Sequence, residues 1–121
     1  MPDDRFPVTW SGRTAVVVVP VELDLTIADG LREALLDVLN AGALGLVVDM
    51  TPTTFCDSAG ISAITRAVRR ATANDATVRL AVTSPAVLRV LDLVGIDRLI
   101  DIYPDTDAAL ASLPDQARNL S

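Results

Sequence analysis

The run Val16, Val17, Val18, Val19 limits the possible folds of this chain more than any other stretch. β-branched side chains favour extended backbone, and four of them in succession leave neither face of the strand polar enough for water. Such a strand belongs in the middle of a sheet covered by helices on both sides, as in an α/β fold. Val8, Thr9 and Trp10 predict a shorter strand ahead of it. Ser11, Gly12 and Arg13 between them carry turn chemistry, so the two strands should pair as a hairpin. Pro20 and Val21 close the valine strand.

Beyond that point strands and helices alternate. Thr26, with Asp29 three residues later, resembles a capping box in which Asp replaces the usual Glu or Gln, and a helix is expected from there to about residue 41. Ile27, Leu31, Ala34, Leu35 and Val38 recur at helical spacing, Arg32, Glu33 and Asp37 fall elsewhere, and Gly42 is a stop signal. Residues 44–50 read as a strand that is nearly all apolar until Asp49. A polar connection with Pro52 as breaker follows, and a second helix is predicted from residue 58 to about 73. At about 100° per residue, Ile61, Ile64, Val68 and Ala71 face the sheet, whereas Ser58, Ser62, Arg66 and Arg69 share a neighbouring, exposed side.

Residues 77–82 form the next expected strand, with Arg79 as its one charged member. Ser84 caps a third helix, Pro85 takes its first position, where a missing N–H is harmless, and Gly95 ends it. Leu88, Leu91 and Val94 or Leu93 are its expected buried stripe. Residues 99–103 read as a last strand, Asp105 and Thr106 open a helix to about residue 113, and the polar tail from Pro114 is expected to fray. The order β, β, α, β, α, β, α, β, α implies one α/β domain over residues 1–121, its core about 8–113, with a mostly parallel sheet made mixed by the opening hairpin and about four helices.

Composition narrows the function. A formal charge of -6 without any histidine argues against nucleic acid and anionic membranes, both of which demand basic patches. All ten basic residues are Arg, which together with the abundant Ala fits a GC-rich bacterial genome. Cys56 is the single cysteine, so neither an intrachain disulfide nor a thiolate metal cluster can form. The short acidic lead of residues 1–5 is unlike a signal peptide, and no apolar run approaches membrane-spanning length, so a cytoplasmic protein is expected.

The seam between the strand at 44–50 and the following helix concentrates what remains: Phe55, Cys56, Asp57, Ser58, Ala59, Gly60, Ile61. Ser58 should stand at or beside the helix N-cap, and a serine there is commonly only a cap. The same position also tolerates a phosphate, and a dianion on an exposed tip changes what can dock. Catalysis is excluded on several counts. Without histidine there is no Ser, His, Asp triad, and Cys56 stands where a nucleophile elbow needs its first glycine. With no His and no Lys in the chain, only the neighbouring helix terminus could lower the Cys56 pKa, and Cys56 reads as a small buried hydrophobe. No phosphate-cradling glycine loop is present, and no metal or cofactor is expected. Asp49 lies at a strand end as a phosphoryl-accepting aspartate of a receiver domain would, but the chain has no lysine to assist it. Asp49 reads more simply as a carboxylate that bonds the following loop.

Val47, Val48, Asp49, Met50 and then residues 55–61 resemble the hallmark segment of the STAS domain, specifically that of the anti-sigma factor antagonists. Glu22, Leu23, Asp24, Leu25 are similar to the family's turn after the second strand, and residues 90–96 to its third-helix ending. The resemblance implies a non-enzymatic partner switch. The unphosphorylated protein binds an anti-sigma factor that is also a serine kinase and so frees a sigma factor, phosphorylation breaks that complex, and a serine phosphatase restores it. Carried onto this chain, the phosphorylated residue is Ser58, and Asp24, Asp57, Ser58, Ser62, Arg66 and Arg69 are expected on the docking surface. The Arg66 and Arg69 side reads equally as a solvated helix face. Val21 departs from the pattern, standing where the family usually has glycine. The alternative within the same fold is a scaffold or lipid-transport subunit that never meets a kinase.

Overall fold

The computed structural model describes residues 5–118; the first four residues of the acidic lead and the last three of the tail lie outside the described residues. In chain order the first half comprises β1 (Val8–Ser11), β2 (Thr14–Val18), β3 (Glu22–Leu23), α1 (Leu25–Asn40), β4 (Gly45–Met50) and β5 (Phe55–Cys56). The second half comprises α2 (Ser58–Ala73), β6 (Thr77–Val82), α3 (Pro85–Val94), β7 (Asp101–Tyr103), α4 (Thr106–Ala111) and α5 (Asp115–Arg118).

The main sheet has the order β1-β2-β4-β6-β7. β1 runs antiparallel to β2, with Val8 opposite Val17 and Ser11 opposite Thr14, and the other neighbours are parallel. The expected hairpin is therefore present, and Gly12 at its tip takes a left-handed φ of 61° that favours glycine. The valine run is covered on both faces. Ala15, Val17 and Val19 belong to the large buried cluster shared with Leu31 and Leu35 of α1 and Ile64 of α2. Val16 points into a smaller cluster with Val47, Ala81, Ala109, Leu113 and Ala117, under α4 and α5.

Several sequence-based expectations are corrected. The Thr26 to Asp29 capping box does not form: α1 begins at Leu25, and Asp24 is its N-cap, accepting from the Thr26 amide at 3.0 Å. Of the expected α3 stripe only Leu91 is buried, joined by Val87, while Leu88, Leu93 and Val94 are exposed. The last strand is shorter than 99–103, because Leu99 and Ile100 donate their amides to the Ile96 carbonyl at 2.9 and 3.1 Å instead of to the sheet.

The tail after Pro114 is not frayed over its described part. It turns into α5, whose Ala117 carbonyl accepts from the Arg13 amide and from the buried Thr14 hydroxyl, each at 2.9 Å. Gly45 permits this approach, since a Cβ there would lie 2.5 Å from Thr14 Oγ1 and 2.9 Å from Ala117 Cβ.

Candidate functional site

Two pairs of residues that the sequence leaves as loops build the site. β3 and β5 form a separate parallel ladder, with Glu22 opposite Phe55 and Leu23 opposite Cys56. The Thr54 amide donates to the Val21 carbonyl at 2.8 Å and the Asp57 amide to the Leu23 carbonyl at 3.1 Å, extending the ladder in both directions. Asp24 and Asp57 are the next residues after the paired Leu23 and Cys56, so the N-termini of α1 and α2 are fixed side by side.

Asp57 joins the two helices. Its Oδ1 accepts from the amides of Ala59 at 3.0 Å and Gly60 at 3.1 Å, capping α2, and its Oδ2 accepts from the Leu25 amide at 3.1 Å, at the start of α1. One carboxylate thus satisfies orphan donors of two helix termini, where negative charge is also favoured by the helix dipoles. The hydroxyl of Thr26 donates to Asp24 Oδ1. That bond, more than the backbone amides of Thr26 and Ile27, holds the Asp24 carboxyl below its ordinary pKa.

Gly60 brings α2 against β3. A Cβ built on it would lie 2.5 Å from Leu23 Cγ and 2.7 Å from Leu23 Cδ2, and Leu23 is fully buried. Helix α2 could not meet the small ladder at this spacing with any larger residue there.

With the cap supplied by Asp57, Ser58 occupies the first helical position rather than the N-cap, and the reading of Ser58 as a cap is set aside. Its side chain is exposed, and its hydroxyl makes no hydrogen bond among the described residues. Ser62, Arg66 and Arg69 are exposed along the same helix, as the helical repeat predicts, and Ile61, Ile64 and Ala71 are buried with Val68 partly so. Arg66 is eight residues beyond Ser58, roughly 12 Å along the axis. The nearer charged neighbours of Ser58 along this tip are the acids Asp57 and Asp24.

Cys56 is buried beneath the tip. Loss of water around it, with a smaller contribution from the Asp57 charge, pushes its thiol up to about 11, which keeps it protonated and unreactive at neutral pH. Asp49 bonds the loop that leads to the seam, accepting from the Thr51 amide at 3.0 Å and the Thr51 hydroxyl at 2.7 Å. No cluster among the described residues could hold a metal ion, and no helix among them is long and apolar enough to cross a membrane.

Sequence reasoning missed the apolar part of this tip. Val21, Leu25 and Phe55 remain 54%, 74% and 51% exposed, around the β3 and β5 ladder that supports Asp24 and Ser58. An exposed aromatic and two aliphatic side chains beside polar groups have the make-up of a protein interface. The available signal was apolar residues in short segments beside acids (Val21 before Glu22, Leu25 after Asp24, Phe55 two residues before Asp57), where no helical or strand period accounts for them.

The STAS domain family matches the chain over residues 6–109. Among solved structures, an anti-sigma factor antagonist from Mycobacterium paratuberculosis is 25% identical, with a TM-score of 0.82 over 89% of this chain and 92% of its own. The anti-sigma factor antagonist SpoIIAA in its unphosphorylated form is 21% identical, with a TM-score of 0.73 over 85% of this chain and 91% of its own. The phosphorylated form of SpoIIAA, a Bacillus cell fate determinant, is 20% identical at a TM-score of 0.67, over 85% of this chain and 95% of its own. No curated protein matches the chain by sequence.

Proposed function

The chain belongs to the STAS domain family, and on that premise we propose that it is an anti-sigma factor antagonist controlled by phosphorylation of Ser58. Unmodified, it docks through the tip of α1 and α2 onto an anti-sigma factor that is also a serine kinase, releasing a sigma factor in the bacterial cytoplasm and thereby controlling transcription, as in a stress response. The kinase transfers the γ-phosphoryl group of ATP to Ser58 Oγ, which loses its proton as ADP departs. A serine phosphatase later hydrolyses the ester with water, returning the hydroxyl and inorganic phosphate. The chain is the substrate in both steps and catalyses neither.

The observation that carries this reading is the division of labour at the seam. Asp57 satisfies two helix termini, α2 with Oδ1 and α1 with Oδ2, which leaves the Ser58 hydroxyl exposed and without a structural task among the described residues. Fold-level support comes from SpoIIAA, which has been solved in both phosphorylation states. In a docked interface the phosphate, with a charge of about -2, loses water and lies against carboxylates, and like-charge contact costs several kcal/mol. About 1.4 kcal/mol is tenfold in affinity, so two such increments weaken docking about a hundredfold.

Asp24, Asp57, Ser62, Arg66 and Arg69 are assigned to the docking face with Ser58, and Val21, Leu25 and Phe55 supply its apolar centre. The test is to incubate the protein with its cognate kinase and labelled ATP, and to measure capture of that kinase. Label is expected on Ser58 and lost in Ser58→Ala, and Ser58→Asp should weaken capture. Label confined to other residues, or undiminished capture by Ser58→Asp, overturns the switch and favours the constitutive scaffold or lipid-transport role.

A further inference from the structure

Arginine is unevenly spread over this acidic protein. Of its ten basic residues, Arg32, Arg66, Arg69 and Arg70 line one groove between α1 and α2. The part nearer the tip, about 300 Å³, lies between Ala28 and Arg32 on α1 and Ser62 and Arg66 on α2. A second part of about 410 Å³ continues past Leu36 to Arg69 and Arg70. Arg32 and Arg66 border both parts, so the groove is continuous.

Its positive charge is poorly answered within the protein. Asp29 is the acid that lines it, but its carboxylate is 90% exposed and 3.7 Å from Arg32 Nη2, a loose surface pair of little strength. Arg70 Nη1 donates to the neutral Asn40 Oδ1 at 3.0 Å. Arg66 and Arg69 have no acidic partner among the described residues. Arg32 Nε is buried without any hydrogen-bond acceptor. Buried donors in folded proteins are nearly always satisfied, and a guanidinium cannot shed its proton to escape the penalty. The buried Nε itself is out of reach, but a carboxylate in the groove would answer the charge at the rest of that guanidinium.

We propose that this groove is the docking cleft for an extended acidic segment of a partner protein, whose carboxylates pair with Arg32 and Arg66 and then with Arg69 and Arg70. The helical rise makes the groove about 20 Å long, which suits roughly six extended residues and far exceeds a single small anion. A nucleic acid strand is disfavoured, because the groove has no aromatic side chain for bases to stack on. The cleft opens at Leu25 and Ala59, next to Ser58. Only its use by the partner docked at that tip rests on the function proposed above; anion capture by the groove does not.

The test is fluorescence anisotropy of labelled hexaglutamate with the whole chain at low ionic strength, hexaglutamine being the neutral control. Hexaglutamate should bind and hexaglutamine should not, and added salt should weaken the complex. Arg32→Gln combined with Arg66→Gln should weaken it about tenfold, as expected when two solvent-exposed ion pairs are lost. Arg69→Gln with Arg70→Gln, at the outer end, should weaken it less, and provides the test if the first pair fails to fold by circular dichroism. Equal binding of the two peptides, indifference to both folded double variants, displacement by equimolar inorganic phosphate, or tighter binding of a single-stranded oligonucleotide would each overturn the proposal. Because the peptide assay involves no kinase, an inert Ser58→Asp in kinase capture sinks the switch without touching the groove, and a failed peptide assay does the reverse.

Discussion

Replacing Asp57 should loosen two helices at once. In Asp57→Ala the amides of Ala59 and Gly60 lose the cap of α2, a loss that typically costs about 1 kcal/mol and up to about 2. The Leu25 amide loses an ionised acceptor at the start of α1. A hydrogen bond to a charged group is worth roughly 1.5–3 kcal/mol, but the site is half-buried and water recovers part of this, leaving about 1 kcal/mol. The sum is about 2–3 kcal/mol. For a chain of this length each kcal/mol moves Tm by roughly 4 °C, so a fall of about 8–12 °C is expected in a thermal melt followed by circular dichroism. In urea the midpoint should move with an unchanged slope, because the surface exposed on unfolding is the same.

Asp57→Asn separates the two contributions. Asparagine caps a helix about as well as aspartate, so α2 keeps its cap. The second oxygen becomes an NH₂ group facing the Leu25 N–H, donor against donor, and about half of the Asp57→Ala cost should remain. If Asp57→Asn is as damaging as Asp57→Ala, or if Asp57→Ala costs under about 0.5 kcal/mol, well below an ordinary cap, then Asp57 does not bridge the helices as described.

Gly60→Ala should destabilise by about 1–3 kcal/mol through overpacking against Leu23, although alanine is intrinsically the better helix former by about 1 kcal/mol; a neutral or stabilising result in urea titration would mean that α2 and β3 do not meet so closely. Cys56 should resist iodoacetamide at pH 7–8 in the folded protein and react once urea unfolds it, since burial holds its pKa at about 11; rapid labelling of the native chain would contradict this. Asp24 has a lowered folded pKa, so its contribution is fully present above the ordinary carboxylate pKa and is lost as pH falls through the folded value. Asp24→Asn should therefore lose less stability than wild type between pH 5 and pH 3, and an identical loss in both proteins would remove Asp24 from the acid response.

The main sheet was legible because its signals are long and redundant. The valine run demanded cover on both faces and received it from two separate clusters. The period of α2 sorted Ser58, Ser62, Arg66 and Arg69 to the outside without knowledge of what lay beneath. β3 and β5, two residues each, are too short to show any period, and their pairing is a contact between segments 33 residues apart. The identity of the cap was hidden for the same reason. Asp57 and Ser58 are adjacent and both are good caps, and it is the β5 ladder, delivering the chain from one residue earlier, that selects Asp57. In α3, Leu88, Leu93 and Val94 carry the same apolar label as Val87 and Leu91, and only the placement of the helix over the sheet decides which are covered. The tail was misread because Ala117 enters the core through the space left by Gly45, a fit that local polarity does not encode.

The same division between Asp57 and Ser58 fixes how a phosphate at Ser58 should be read out. A helix N-terminus favours a nearby anion by about 0.3–1 kcal/mol, while the Asp57 carboxylate next in sequence opposes it by a comparable surface interaction. Arg66 is set eight residues beyond Ser58, roughly 12 Å of axial rise, and makes no hydrogen bond or ion pair with the tip among the described residues. The favourable and unfavourable effects nearly cancel within the fold, and nothing in the tip needs Ser58 to remain a hydroxyl. Ser58→Asp should therefore leave Tm within about 4 °C of wild type, the equivalent of about 1 kcal/mol, while weakening kinase capture about a hundredfold. A large drop in Tm accompanying the loss of capture would mean that the charge acts by unfolding the tip, and the spoiled-surface mechanism would be wrong.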